Sequence, residues 1–322
     1  MTSLIRATAF VLTVGIATLV AQQPGLPNRA GSVKFGVIGD FGDGGKSEYA
    51  TGAMMAKMRA AFDFDFVITV GDNIYGSERP QDFIVKFETP FKSLLDKGVT
   101  FYASIGNHDD PNQRFYKPFN MNGERYYAVT KKNALFLALD SNYMDTRQIE
   151  WIEDQLKSSK AEWKIPYFHH PLFSSGGTHG SSADLRTSLE PLFLKYGVQV
   201  VFTGHDHFYE RIKPQKGIYY FVVGNSGKLR KGDITKTVLT ASGLDTDRGF
   251  LLAEVADDAL FFSAVTQTGK VFDAGCIPRS SDLSSSSSRM RCPAPTAPGQ
   301  PPPPLPKAPA ANPKPAAPGN GR

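Results

Sequence analysis

Cysteine is nearly absent from this chain of 322 residues: Cys276 and Cys292 are the only two, and both lie toward its end. A disulfide-built core is therefore excluded, and so is a thiolate metal site, because no cysteine stands in any cluster of histidines or acids. The signatures of two common enzyme classes are also missing. Gly42, Gly44 and Gly45 make a glycine-rich turn, but no Lys-Ser/Thr pair follows them to complete a P-loop. Ser174 and Ser175 stand in no nucleophile elbow, which removes a serine hydrolase. A basic face is lacking as well. The net charge is +5, yet Arg6 lies in an N-terminal segment expected to be removed on export and residues 276–322 carry six Lys/Arg against one Asp, which leaves residues 22–275 at −1. That is not the charge of a nucleic-acid binder, and no nucleic-acid partner is expected.

The two ends differ from the body. Residues 1–21 carry Arg6, an uncharged apolar stretch over residues 7–20 and a small residue at Ala21. The stretch is too short to span a bilayer comfortably and reads as a secretory signal peptide, so a secreted or periplasmic protein is expected, with no transmembrane segment in the mature chain. Residues 22–32 form a short linker and residues 33–275 the folded domain. From Cys276 the composition changes to a serine run at residues 284–288 and then a Pro/Ala stretch that includes residues 301–304. Such a segment buries too little surface to offset its conformational entropy, so residues 276–322 are expected to be disordered or polyproline-like, with cell-wall or surface contact as a candidate role. Export makes a disulfide between Cys276 and Cys292 plausible, closing a small loop outside the core.

Within the body, an apolar run stops abruptly in Gly, Asp, Asn or His five times. Asp40 follows residues 33–38, Asp72 follows 66–70, Asn107 and His108 follow 99–105, His169 follows 163–168, and His205 and His207 follow 198–203. These runs read as buried strands, and 126–129 with 134–139 as a strand pair. Helices are expected from Ser47, over residues 83–95, from a cap at Asp145 or Thr146, and over 184–195. The last third is rich in strands, at 218–223, 250–255, 259–266 and Val271. Alternating strands and helices, then a run of strands, predict an α/β (α+β) chain built as a four-layer αββα sandwich, two mixed β-sheets face to face with helices outside. In sheets with mainly parallel strands, reactive groups collect just beyond the strands' carboxyl ends, so five strands deliver polar groups to one place.

All six histidines, His108, His169, His170, His179, His205 and His207, lie in the polar clusters, and none is left for surface duty. Imidazoles, carboxylates and an asparagine without thiolates suit two adjacent iron, zinc or manganese ions, with Asp72 as the carboxylate shared between them.

Five stretches, Gly39-Asp40-Phe41-Gly42, Gly71-Asp72-Asn73-Ile74-Tyr75, Gly106-Asn107-His108-Asp109, His169-His170-Pro171 and Gly204-His205-Asp206-His207, resemble in order and spacing the motif blocks of the calcineurin-like metallophosphoesterases. The closer resemblance is to the purple acid phosphatases, especially the small tartrate-resistant type, and it extends over residues 33–274. Most of the wider superfamily carries a histidine two residues after the first aspartate, where this chain has Gly42. The purple phosphatases use instead a tyrosinate that binds ferric iron, and Tyr75 stands at that position. The resemblance implies one Fe(III) site of Asp40, Asp72, Tyr75 and His207, and a second, for Fe(II), Zn or Mn, of Asp72, Asn107, His169 and His205. His169 takes the ligand role from the family's His-x-Pro spacing, with His170 as its neighbour on the substrate side and an exchange of the two roles left open. Asn107, His108 and His179 are implied as phosphate contacts, and His108 and His179 as candidates for the general acid.

Residues 33–275 would then be a catalytic domain hydrolysing small-molecule phosphomonoesters by attack of a metal-bound hydroxide, without a phosphoenzyme and with an acidic optimum. A secreted phosphodiesterase or nucleotidase with the same metals is the nearest rival, decided by pocket walls that include Tyr209, Glu210 and Arg211. A non-catalytic exported protein that holds metal or phosphate, tethered by its tail, is the third reading.

Overall fold

The computed structural model describes residues 25–235, 237–256 and 259–279. The expected signal peptide, the serine- and proline-rich tail beyond residue 279 and Cys292 lie outside the described residues, and the expected disulfide falls outside them with Cys292. Among the described residues no helix is long and apolar enough to cross a membrane.

The first sheet begins with three parallel strands, β1 (Val33–Ile38), β2 (Phe66–Thr69) and β3 (Thr100–Ala103). The second contains β4 (Tyr127–Lys131), β5 (Ala134–Ala138), β6 (Trp163–Tyr167), β7 (Val200–Thr203), β8 (Tyr209–Ile212), β9 (Tyr219–Val223) and β10 (Thr240–Leu244), of which β5, β6, β7 and β9 run parallel. The chain then returns to the first sheet with β11 (Gly249–Ala256), β12 (Ala259–Thr266) and β13 (Val271–Pro278), all antiparallel to their neighbours. The orders are β13-β12-β11-β1-β2-β3 and β10-β8-β9-β7-β6-β5-β4. The last strand passes through the compositional break at Cys276, which is buried on it.

Aromatic residues fill the space between the sheets. Phe35 of β1 lies 5.0 Å from Phe136 of β5 and 6.1 Å from Phe202 of β7, and Phe221 of β9 lies 5.1 Å from Phe262 of β12. Edge-to-face pairs of this kind add roughly 0.5–1.5 kcal/mol each beyond their buried area, and here they fix the spacing of the two sheets. Outside the first sheet, helix α1 (Lys46–Arg59) contributes Met55 and Met58 to the core. Outside the second, the helices at Thr146–Ser158 and Ala183–Lys195 bury Ile152, Leu156, Leu189 and Phe193 against Leu135, Leu137 and Val201. This is the αββα sandwich that the alternation of strands and helices predicts.

Two local expectations need correction. The helix expected over residues 83–95 is broken into α2 (Pro80–Phe83), a π-helical turn (Ile84–Glu88) and α3 (Lys92–Leu95), because Pro90 donates no N–H and its ring obstructs the turn before it. With these two numbered, Thr146–Ser158 is α4 and Ala183–Lys195 is α5. Tyr209, Glu210 and Arg211 are not pocket walls: they are interior residues of β8. The Tyr209 hydroxyl donates to Asp273 of β13 at 2.7 Å and Arg211 Nε donates to the same carboxylate at 2.8 Å, linking the two sheets.

Candidate metal centre

The turns that follow β1, β2, β3, β6 and β7 converge at the carboxyl ends of these strands. Asp40, Asp72 and His205 all have left-handed backbones there, with φ of 54°, 52° and 71°. Such conformations cost on the order of 1–3 kcal/mol each in a non-glycine residue and persist only where neighbours hold them. The turns hold one another: Asp40 N–H donates to Gly71 O at 3.0 Å, His205 N–H to Asp40 Oδ2 at 3.0 Å, and His108 N–H to Asp72 Oδ1 at 3.0 Å.

Two clusters of ligand atoms meet at Asp72. On one side, ligand atoms of Asp40, Asp72 and His207 all lie within 4.8 Å of one another. The Tyr75 hydroxyl joins them, 3.2 Å from His207 Nε2 and 3.4 Å from Asp40 Oδ1. On the other side, His169 Nε2 lies 3.4 Å from Asp72 Oδ1, 3.0 Å from Asn107 Oδ1 and 3.2 Å from His205 Nδ1. His169 Nδ1 faces Val70 O at 2.9 Å; a carbonyl only accepts, so Nδ1 carries the proton and Nε2 presents its lone pair to the cluster. His170 turns elsewhere. Its Nδ1 lies 2.9 Å from Ser141 Oγ, and its ring packs 4.4 Å from that of His205, so the structure places His169 and not His170 among the ligand atoms.

His108 and His179 border the cluster. Both are exposed, the first with its ring 5.0 Å from Tyr75 and the second 4.2 Å from His205. Lys228 Nζ lies 4.4 Å from the centre of the Tyr75 ring, a basic neighbour not anticipated from the sequence. Cys276, on β13, has no part in the site.

Close backbone approach explains two glycines. A Cβ on Gly42 would stand 1.7 Å from Asn73 O, so a histidine cannot be accommodated at this position without moving the Tyr75 turn. A Cβ on Gly106 would stand 2.2 Å from Asp72 Oδ1. Each glycine lets a ligand-bearing turn sit against its neighbour.

Burial dominates the electrostatics. Asp40 is fully buried, and burial, then the charge of Asp72, holds its carboxyl well above the usual range. Tyr75 is pushed far up by burial and then by Asp40 and Asp72. The imidazoles move the other way: burial first, and neighbouring histidines second, brings His205 down to about 2, and burial brings His207 down to about 4. Carboxylates this deep, with Asp72, Asp206 and Asp109 as the charges acting on Asp40, are arranged for a cation. The donor set on the Tyr75 side therefore fits a metal ion with oxygen donors and one imidazole, and the amide oxygen and two imidazoles around His169 are donors of the type a second ion would need.

The residues that hold these ligands were not assigned roles from the sequence. Asp109 accepts from Gly106 N at 2.8 Å, Ile74 N at 2.9 Å, Asn73 Nδ2 at 3.0 Å and Gln113 Nε2 at 2.8 Å. Asn73 also donates to Ser104 O at 2.7 Å. Asp206 accepts from Ser174 Oγ at 2.5 Å. Asn73, Asp109 and Asp206 lie inside the motif blocks, and that is the one signal that marked them.

A family model described as "Calcineurin-like phosphoesterase" matches residues 33–209, a span that contains every ligand-bearing turn. "Purple acid phosphatase 17" of Arabidopsis thaliana is 27% identical over 246 residues, covering 65% of this chain and 72% of that protein. "Tartrate-resistant acid phosphatase type 5" of Rattus norvegicus is 23% identical over 301 residues, covering 78% and 91%. Among solved structures, a purple acid phosphatase from yellow lupin (Lupinus luteus) seeds superposes with a TM-score of 0.63 at 21% identity, over 79% of this chain and 55% of that one, a likeness of fold.

Proposed function

Because this chain belongs to the calcineurin-like phosphoesterase family, we propose that it is a secreted two-metal phosphatase of the purple acid phosphatase kind, acting on phosphomonoesters. The observation that carries this reading is the Tyr75 hydroxyl, 3.2 Å from His207 Nε2 and 3.4 Å from Asp40 Oδ1, beside a glycine at position 42. Asp40, Asp72, Tyr75 and His207 would hold Fe(III), and Asp72, Asn107, His169 and His205 would hold Fe(II), Zn or Mn. When bound, two such cations supply Lewis acidity toward a phosphoryl oxygen and activate water as the nucleophile.

The chain's own residues do the rest. The His108 backbone is tied to Asp72 Oδ1, which sets its side chain at the open face beside Tyr75 for contact with the phosphate. His179, packed on His205 at the same face, is the group that protonates the leaving oxygen. A cavity of about 590 Å³ opens beside Asn107, lined by Ser141, Asn142, Tyr143, His170 and Asp184 among others. No lysine or arginine lines it, so it suits the body of a neutral alcohol better than a second phosphate. The apolar N-terminal stretch of residues 1–21 supports export.

The test is turnover of a phenyl monoester and its diester by the metal-loaded protein at equal concentration. Faster turnover of the monoester is expected; equal rates, or faster cleavage of the diester, would move the assignment to a phosphodiesterase.

A further inference from the structure

The loop that carries His179, between β6 and α5, is exposed at residues 177–179 and contains Gly176, Gly177 and Gly180, so its own backbone gives it little rigidity. It is held from two sides instead. On one, the buried Asp206 accepts from Ser174 Oγ at 2.5 Å and from Gly180 N at 3.5 Å, and Gly176 passes so close that a Cβ there would stand 2.6 Å from the carboxylate.

On the other side lies the connection between β9 and β10. Thr178 Oγ1 donates to Asp233 Oδ1 at 2.5 Å, Gly177 N to Asp233 O at 2.8 Å, and Thr235 N and Oγ1 to Ser175 O at 2.8 and 2.7 Å. Gly176 and Ile234 pair as an isolated β-bridge. The same connection is fastened to the metal centre: Lys228 N donates to Asp40 O at 2.8 Å and Arg230 N to His207 O at 2.9 Å. Arg230 Nη1 then lies 3.7 Å from Asp233 Oδ2.

A continuous chain of contacts thus runs from the ligand His207 through Arg230 and Asp233 to Thr178, the residue before His179. We propose that Asp233, acting through Thr178, is a positioning residue that holds His179 over His205, registering the proton donor to the metal centre. The inference rests on His179 as the general acid. It assigns the β9–β10 connection a part in the reaction although none of its side chains is a metal ligand.

Leaving-group dependence tests it, since an alkyl phosphate needs its leaving oxygen protonated and a nitrophenyl phosphate hardly does. In the full metal-loaded chain, Thr178→Val and Asp233→Ala should each lower kcat on alkyl phosphates by about tenfold or more, out of the ~10²–10⁴ that acid catalysis contributes. Turnover of nitrophenyl phosphate and metal content should stay near wild type, and Thr178→Ser should restore the alkyl rate. His179→Ala is the control. If it raises the nitrophenyl-to-alkyl ratio while Thr178→Val leaves the ratio at wild type, the positioning role is wrong and the acid assignment stands. If His179→Ala leaves the ratio unchanged, the acid assignment fails and the positioning role fails with it. Should Asp233→Ala not fold, Thr178→Val alone decides.

Discussion

The two halves of the candidate metal centre meet at Asp72 and differ in nearly everything else. Around Tyr75 the donors are oxygens, the buried Asp40 and the half-buried phenol, with His207 as the single imidazole. Across Asp72 they are neutral: the Asn107 amide, His169 and His205. Burial acts on both halves with opposite results. It favours a proton on Asp40 and on Tyr75, and it removes one from His169 and His205. On the proposed assignment, Asp40 and Tyr75 would give up protons to take a cation, whereas His169 and His205 would have none to give up. A highly charged, hard ion suits the first and a borderline divalent ion the second.

Removing the shared group erases the comparison and carries the largest expected effect. Asp72→Ala should lose both metals and reduce turnover by more than the ~10–100-fold typical of losing an outer partner. Metal analysis of the purified variant checks this, and retention of a full metal in the His169 half would mean that Asp72 does not serve both. Asp109→Asn comes next. Its NH2 group would replace one carboxylate oxygen and face either Ile74 N and Gln113 Nε2, which now donate to Oδ1, or Gly106 N and Asn73 Nδ2, which now donate to Oδ2, so metal affinity and kcat should fall by roughly 10–100-fold.

The protonation difference gives a pH prediction that separates the halves directly. Raised values at Asp40 and Tyr75 mean that protons leave as the cation enters, so affinity in that half should climb as pH rises. His205, at about 2, has no proton to lose in the same range, and the other half should be nearly flat. Calorimetric titration in buffers of different ionisation heat reads the released protons; equal release from both halves would remove the distinction.

The smallest effect concerns Glu48, which accepts from Gly44 N at 2.7 Å behind the first turn of the Tyr75 half. Burial pushes its carboxyl from 4.5 up to about 9. The folded chain then keeps a proton that the unfolded chain releases, so this residue's contribution to stability falls as pH rises from about 4.5 to about 9. Glu48→Gln cannot ionise, and its Tm advantage over wild type should grow across that window. A constant offset would show that the group stays charged.

What the sequence makes legible in this molecule is whatever ends an apolar run. Every ligand of both halves is such a residue or stands within a few positions of one, and the sheet brings together what the runs deliver. The supports are different. Thr178 and Asp233 are 55 positions apart, and Asp109 gathers donors from three separate stretches, so no local pattern announces either. Strand β8 was hidden because Glu210 and Arg211 look like surface residues until Asp273 and Thr240 are seen to meet them. The expectation of one helix over residues 83–95 followed the helical spacing on either side and passed over Pro90, which supplies no N–H donor to continue it.

The unlikeness of the two halves is tested most directly by metal content and visible absorption measured together on wild type and Tyr75→Phe. The account predicts two metals per chain in wild type with a broad visible band, and in the variant loss of the band with the divalent ion of the His169 half retained. A wild-type protein with two like divalent ions and no band, or a variant that keeps the band, would contradict it.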